Sequence, residues 1–538
     1  MAILHMQRSV PRNNFLLTLL LALVASPVHA APGAANDARR PPNIVIIVAD
    51  DLGFTDLGCY GGEIKTPNLD QLAKGGVRFT QFYNTARCWP SRAALMSGYY
   101  AQQVRMDPQQ KSPPAWARLL PHYLRERGYR CYHSGKWHIG VFPRVVADGG
   151  FHHSYNLTDQ NRFFSPRTHT EDDKPLTAVE PASGYYATQA IAEHAIRCLK
   201  EHASEHAAKP FLQYLCFTSP HFPLHAPPED IALYRDRYLE GWDKLRAERY
   251  QRARELGIVT CSLPAWENPT PSLVYNKADL KKFGPNELAA SPPWENLTPE
   301  QRRFQATKMA IHAAMVDRMD REIGRVLAQL RAMNALDDTL IFFLSDNGAS
   351  AEVMIRGDGH DPQAEPGSWH THLCLGGGWA AMCNSPLRRF KIWVYEGGTA
   401  TPLLVHWPRG LARRGELCHD VGHVIDIVPT LLELTGGPAP DTHNGVKAPP
   451  PPGRSLIPCF TRDSAATREL FFKHSGHRAL RSGDWKLVAP AEGNGWELYN
   501  LADDRCESHN LAQQYPDRVQ TMSARWQQLD QQWQRDAK

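Results

Sequence analysis

Several stretches of the chain are apolar at nearly every position instead of at alternate ones. Asn43-Ile44-Val45-Ile46-Ile47-Val48, Phe211-Leu212-Gln213-Tyr214-Leu215-Cys216-Phe217, Thr339-Leu340-Ile341-Phe342-Phe343-Leu344 and Leu403-Leu404-Val405-His406-Trp407 are short, β-branched or aromatic, and bounded by turn residues. Such runs mark strands covered on both faces, the usual condition of a parallel sheet, because a strand with one wet face alternates. Val77-Arg78-Phe79-Thr80-Gln81-Phe82-Tyr83 does alternate and predicts a strand of that second kind, and residues 129–132 predict a further short one.

Helical spacing fills the gaps. Residues 65–73 read as a loop entering a short amphipathic helix, with Thr66 or Asn68 as candidate caps, and 114–127 and 183–203 also read as helical. A long helix starts near Pro299, where Met309, Val316, Ile323 and Leu330, with Met319, Val326 and Met333, make one apolar stripe. Packing on the sheet explains that stripe better than a coiled coil does, and His312 within it reads as a core histidine. Strands alternating with helices predict an α/β fold: a large mixed, mostly parallel sheet flanked by helices, here over residues 41–437. Within it, about 227–300 is rich in charge, aromatics and proline without a sheet pattern, and is expected to be an insertion roofing the site. Residues 351–385, with His370, His372 and Gly376-Gly377-Gly378, read as a glycine-rich surface loop, the alternative being that His370 and His372 shape a substrate pocket. A Pro-rich linker, 438–454, leads to short strands at 479–481, 485–488 and 497–500 and a polar helix from about 515. These predict a smaller C-terminal domain of antiparallel sheet plus helix, 455–538.

Composition changes this picture little. At 538 residues, 42% hydrophobic and 22% charged, the chain is an ordinary globular protein with room for a large and a lesser core. A formal charge of +4 gives no case for nucleic acid. The N-terminus matters more. Arg8 and Arg12 precede an apolar run at 15–24 and small residues at Val28-His29-Ala30, the pattern of a secretory signal over 1–30. That run is too short to span a bilayer, and none later is longer, so an exported, periplasmic or secreted protein without a membrane span is expected. The widely spaced cysteines match no zinc pattern, and an oxidising compartment would allow pairs whose connectivity the sequence does not give.

The chemistry collects where strands stop. The first run ends in Ala49-Asp50-Asp51 and the third in Ser345-Asp346-Asn347-Gly348, placing oxygen ligands at the sheet edge where open α/β sheets hold their ligands. Carboxylates and an amide without thiolate or imidazole suit a hard divalent ion, calcium or magnesium. The second run closes on Thr218-Ser219-Pro220-His221-Phe222-Pro223, where flanking prolines fix the backbone and hold His221 in one place, as an acid or base requires. Lys136 and His138, two apart after a short strand, face the same way if extended, a lysine for an anion beside a histidine for its proton. Cys88 lies at a turn, with Pro90 placing the start of any helix at about Ser91.

The stretch Cys88-Trp89-Pro90-Ser91-Arg92, continuing through Leu95 to Ser97-Gly98, resembles the signature C-x-P-S-R-x-x-[LM]-x-[ST]-G of the type I sulfatases at every specified position. Gly135-Lys136-Trp137-His138-Ile139-Gly140, and Lys391 ahead of Glu396-Gly397-Gly398, resemble further family stretches, and the general arrangement is nearest to bacterial arylsulfatases. The likeness runs from about 42 to about 511 and is weakest across 227–300. It implies an alkaline-phosphatase-like fold and hydrolysis of sulfate monoesters. It also implies that a formylglycine-generating enzyme converts Cys88 to formylglycine, whose hydrate attacks sulfur. On this resemblance Asp50, Asp51, Asp346, Asn347 and residue 88 hold one divalent cation, usually calcium, and Arg92, Lys136 and Lys391 neutralise the sulfate. His221 or Lys391 protonates the leaving oxygen, and His138 takes a proton from the second hydroxyl as sulfate departs. A phosphonate monoester or phosphodiester hydrolase of the same superfamily would need similar cations. An exported sulfate- or glycan-binding protein in which Cys88 stays a thiol is the non-enzymatic alternative.

Overall fold

The computed structural model describes residues 41–538 except 444, 465 and 494; the signal segment 1–30 lies outside the described residues. The first apolar run is strand β1, Asn43–Ala49, at the centre of a ten-stranded sheet. In chain order the other strands are β2, Val77–Tyr83; β3, Arg130–Gly135; β4, His153–Leu157; β5, His169–Glu171; β6, Lys174–Pro175; and β7, Phe211–Cys216. β8, Thr339–Ser345, β9, Ala400–His406, and β10, Glu416–His423, complete the sheet, whose order is β10-β2-β9-β8-β1-β7-β3-β4-β5-β6.

The central strands β8, β1, β7, β3 and β4 are mutually parallel, whereas β9 runs antiparallel to both β8 and β2. Alternate residues of β1 enter two cores: Val45, Ile47 and Ala49 on one face, Ile44, Ile46 and Val48 on the other, each 0% exposed. Burying one such side chain stabilises the fold by about 1.5–3 kcal/mol, which is why a two-faced strand is apolar at nearly every position.

Helices cover both faces. On the first lie α1, Pro67–Lys74, α3, Ala187–Glu205, and α5, Pro299–Ala332, whose Met309, Val316, Ile323 and Leu330 are buried as the stripe predicts. Thr298 and Gln301 form a capping box at the start of α5, satisfying two otherwise unpaired N–H groups. On the other face lie α2, Cys88–Ser97, and the helix α6, Pro516–Asp536, while the four-stranded antiparallel sheet Glu469–His474, His477–Ser482, Trp485–Ala489 and Glu497–Asn500 contributes side chains to both cores. Glu469–His474 is a strand that the sequence pattern does not mark.

Other expectations are corrected. α2 starts at Cys88, not near Ser91: Pro90 falls in the first turn, where a missing N–H leaves no helical bond unmade. The stretch from 227 onward contains a regular helix, α4, Trp242–Glu255, hidden from periodicity because it buries Arg246 and Arg249 as well as Trp242 and Leu245. Residues 371–380 are buried rather than a surface loop, and Gly377–Cys383 is a helix. Its glycines answer to packing: a Cβ on Gly378 would lie 2.8 Å from the Trp242 ring, and one on Gly377 2.4 Å from the Pro271 carbonyl oxygen. No helix among the described residues is long and apolar enough to cross a membrane.

Candidate active site

Register explains how distant motifs meet. Ala49 of β1 pairs with Ser345 of β8, Val48 with Cys216 of β7, and Cys216 with Gly135 of β3. Four adjacent parallel strands therefore stop level, and the residues after them, Asp50-Asp51, Asp346-Asn347, Thr218 to His221 and Lys136, emerge together. The antiparallel β9 starts at the same edge, delivering Lys391 from the loop before it, and β2 ends there, delivering Cys88 at the N-terminus of α2.

The cluster is buried and highly charged. Asp50, Asp51 and Asp346 are 0–2% exposed. Each has a fixed cation: Lys136 Nζ donates to Asp50 Oδ2 at 2.6 Å, Lys391 Nζ to Asp51 Oδ2 at 2.8 Å, and Arg92 Nε to Asp346 Oδ2 at 2.8 Å. Asn347 Nδ2 donates to Asp51 Oδ1 at 2.7 Å, and His221 Nε2 lies 3.6 Å from Asp51 Oδ2 while Nδ1 meets the Phe222 carbonyl. Arg92 also donates to the Lys136 carbonyl at 2.8 Å, bracing the loop that carries the lysine. Lys136 and His138 do not share an extended segment: β3 ends at Gly135, and His138 has φ +56°, so a turn presents them. His138 lies with its ring 5.6 Å from that of Trp89, next to Cys88.

Burial and charge set the protonation states. Burial alone would raise the Asp50 carboxyl, but Lys136, His221 and Arg92 hold it well below the carboxylate range. Burial, with Asp50 close by, pushes Asp346 up to about 7. Burial opposes the charge on Lys391, yet Asp51 and Glu352 keep its ammonium well above the usual lysine range. The Cys88 thiol is pushed up by burial, against the pull of Lys136 and Lys391. Burial lowers His221 to about 4 and His138 well below the ordinary imidazole value.

Polar atoms in this cluster that are buried without a partner include Asp50 Oδ1, Asn347 Oδ1, Arg92 Nη2 and His138 Nδ1. Two open oxygens beside closely packed carboxylates fit a hard divalent cation, and oxygens of Asp50 and Asp51 with a nitrogen of His221 lie within 4.8 Å of one another. One participant is absent from the sequence reading. Glu352, 1% exposed, receives Lys391 Nζ at 2.8 Å and Arg87 Nη1 at 3.0 Å, so it holds both cations beside Cys88. It occupies a two-residue strand, Glu352–Val353, too short to give a pattern; its only signal is a carboxylate among small apolar residues soon after Asp346-Asn347.

Buried carboxylates and fixed cations at the carboxyl edge of this sheet define a hydrolase of anionic esters with the alkaline-phosphatase-like fold. The sulfatase family model matches residues 42–437, and that of the N-sulphoglucosamine sulphohydrolase C-terminal region matches 389–534. The chain belongs to the sulfatase family and is a sulfuric ester hydrolase. It is 32% identical to an uncharacterized sulfatase of Schizosaccharomyces pombe, over 90% of this chain and 93% of that protein. It is 29% identical to an arylsulfatase of Klebsiella aerogenes, over 77% of this chain and 91% of that protein. The crystal structure of Ps i-CgsB shares the fold with a TM-score of 0.65 and 23% identity, covering 93% and 94% of the two chains. A metal ion and formylglycine are general features of the family.

Proposed function

We propose that this enzyme hydrolyses sulfate monoesters at residue 88, and that Asp50, Asp51, Asp346 and Asn347 hold a calcium ion beside it. The observation that carries this reading is the pair of unpartnered oxygens, Asp50 Oδ1 and Asn347 Oδ1, among three buried carboxylates. Asp50 with Lys136, Asp51 with Lys391 and Asp346 with Arg92 leave those three pairs neutral. A bound divalent ion supplies the positive charge that a sulfate group and a deprotonated nucleophile require.

Residue 88, converted to formylglycine by a generating enzyme in an exported protein, is the nucleophile; one hydroxyl of its hydrate attacks sulfur, and deprotonation of the second re-forms the aldehyde as the bond to the sulfated oxygen breaks and sulfate leaves. Lys136 and Lys391 are fixed by carboxylates, so they meet the sulfate oxygens without reorganising. Arg92 holds Asp346 and the Lys136 loop in register. In this reading His221 or Lys391 protonates the leaving oxygen, and His138, with Nδ1 unpartnered, takes the proton from residue 88. The test is parallel assay of an aryl sulfate and a phosphonate monoester, before and after chelation and calcium return. Preferential, calcium-restored sulfate release is expected; preferential phosphonate cleavage, or rates indifferent to metal removal, would overturn the reading.

A further inference from the structure

The ring of Phe222 links the sulfate cluster to a second cation. It stacks on His221 with centroids 4.3 Å apart and has Lys391 Nζ 5.4 Å from its centroid and Arg356 Cζ at 5.3 Å. Lys391 is spent on Asp51 and Glu352. Among the described residues, the Arg356 guanidinium makes no hydrogen bond or ion pair. The charges around it are already matched: Asp358 receives Arg162 at 2.9 Å and Arg167 at 2.9 Å, and Arg162 also binds Asp159 at 2.7 Å. Beside Arg356, His372 is 3% exposed with neither ring nitrogen partnered. His225, also 3% exposed, directs Nε2 to the Thr371 carbonyl at 2.7 Å and leaves Nδ1 open. These groups and Asp358 line one hollow with Phe164 and Trp369, about 20 Å³ in volume, which admits a single oxygen of an anion.

We infer that Arg356, backed by His372 and His225, forms a second anion subsite that receives a carboxylate or second sulfate carried by the leaving group. The inference rests on the sulfatase reading of the neighbouring site. Buried, unpartnered imidazole nitrogens destabilise the fold until a partner arrives, so a cluster of them beside an unpaired cation points to a ligand. A guanidinium fork matches the planar carboxylate and the sulfate face alike. Lys391 and Arg356 flank a single phenyl ring, a separation that one sugar or arene ring with its substituents spans. Trp369 and Phe164 offer that ring an apolar face. The substrates thus selected are sulfate esters with a further negative charge, of the uronate or multiply sulfated kind.

The test compares kcat and KM of the whole enzyme for phenyl sulfate, 3-carboxyphenyl sulfate and 1,3-phenylene disulfate, in the parent and in Arg356→Ala, Arg356→Lys and Arg356→Glu. We expect the parent to favour one or both dianions by about 10-fold or more in kcat/KM, mostly through KM. Arg356→Ala should erase that preference, Arg356→Lys keep part of it, and Arg356→Glu invert it. Preference for the carboxylate alone identifies a uronate-type group, and for the disulfate alone a second sulfate. An equal preference in parent and Arg356→Ala, or none in the parent, overturns the subsite and leaves the sulfatase reading intact. Failure of the parent to release sulfate from any of the three removes both.

Discussion

Two buried charged clusters draw on carboxylates five residues apart in the chain, Asp51 and Asp56, and they differ in what they leave unfinished. At the sheet edge, Asp50 Oδ1, Asn347 Oδ1, Arg92 Nη2 and His138 Nδ1 have no partner. Behind it, Asp56 accepts from the Gly53 amide at 2.8 Å, His312 Nε2 at 3.0 Å and Arg249 Nη1 at 2.6 Å. Glu63 takes Arg249 Nε at 2.7 Å and Nη2 at 2.8 Å, and the Tyr238 hydroxyl at 2.9 Å. Proximity alone would make Asp56, His312 and Cys383 as good a metal group as Asp50, Asp51 and His221. Arg249 already supplies the positive charge there, and each carboxylate oxygen is satisfied. This second cluster leaves His312 Nδ1 and Arg252 Nη2 open but no carboxylate oxygen, and it fixes α4 and α5 against the loop after β1; the first, with Asp50 Oδ1 and Asn347 Oδ1 open, is held ready for a cation.

Substitutions should separate the two. The largest effect is expected at Cys88→Ala: a loss of turnover on the order of 10⁴-fold or more, with the melting temperature little changed, read by sulfate release and thermal unfolding. Asp51→Asn should lower kcat by about 10²–10³-fold and reduce bound calcium in elemental analysis, again with little loss of stability. Arg249→Met should do the reverse. It strands Asp56 and Glu63 as buried charges, costing about 3–5 kcal/mol in denaturant unfolding, while the folded fraction keeps its kcat. A normal stability for Arg249→Met, or a collapse of the fold in Asp51→Asn, would erase the distinction.

The smallest effect is in pH. Burial works against ionisation of Asp56 and Glu63, but His312 and Arg249 hold Asp56, and Arg249 holds Glu63, below the usual carboxylate range. Depressed carboxyls contribute stability that is complete above their unfolded values of about 4 and is lost as pH falls toward the folded ones. The parent should therefore lose stability on acidification below about pH 4–5, and Arg249→Met should show a shallower acid limb in melting experiments at fixed salt.

How much of this the sequence discloses depends on the physical origin of each feature. Strands buried on both faces are legible because apolar residues crowd them, with few polar exceptions such as Gln213, and the residues at which they stop are then conspicuous: Asp50, Asp51, Asp346, Asn347, His221 and Lys136. What brings those ends level is sheet order and register, which no local pattern encodes. α4 is illegible for the opposite reason, since its buried face includes arginines whose partners, Asp56 and Glu63, are remote in sequence. Gly376-Gly377-Gly378 looks like surface punctuation until the close approach of Trp242 and Pro271 shows why side chains are excluded. Arg356 and His372 carry no motif at all; only their shared lack of partners around Phe222 sets them apart.

Mass spectrometry of the tryptic peptide containing residue 88, run on preparations of graded specific activity, tests the account most directly. Turnover should rise in proportion to the fraction of peptide in which the thiol has become an aldehyde. A preparation fully active on sulfate esters with residue 88 entirely unmodified cysteine would contradict it.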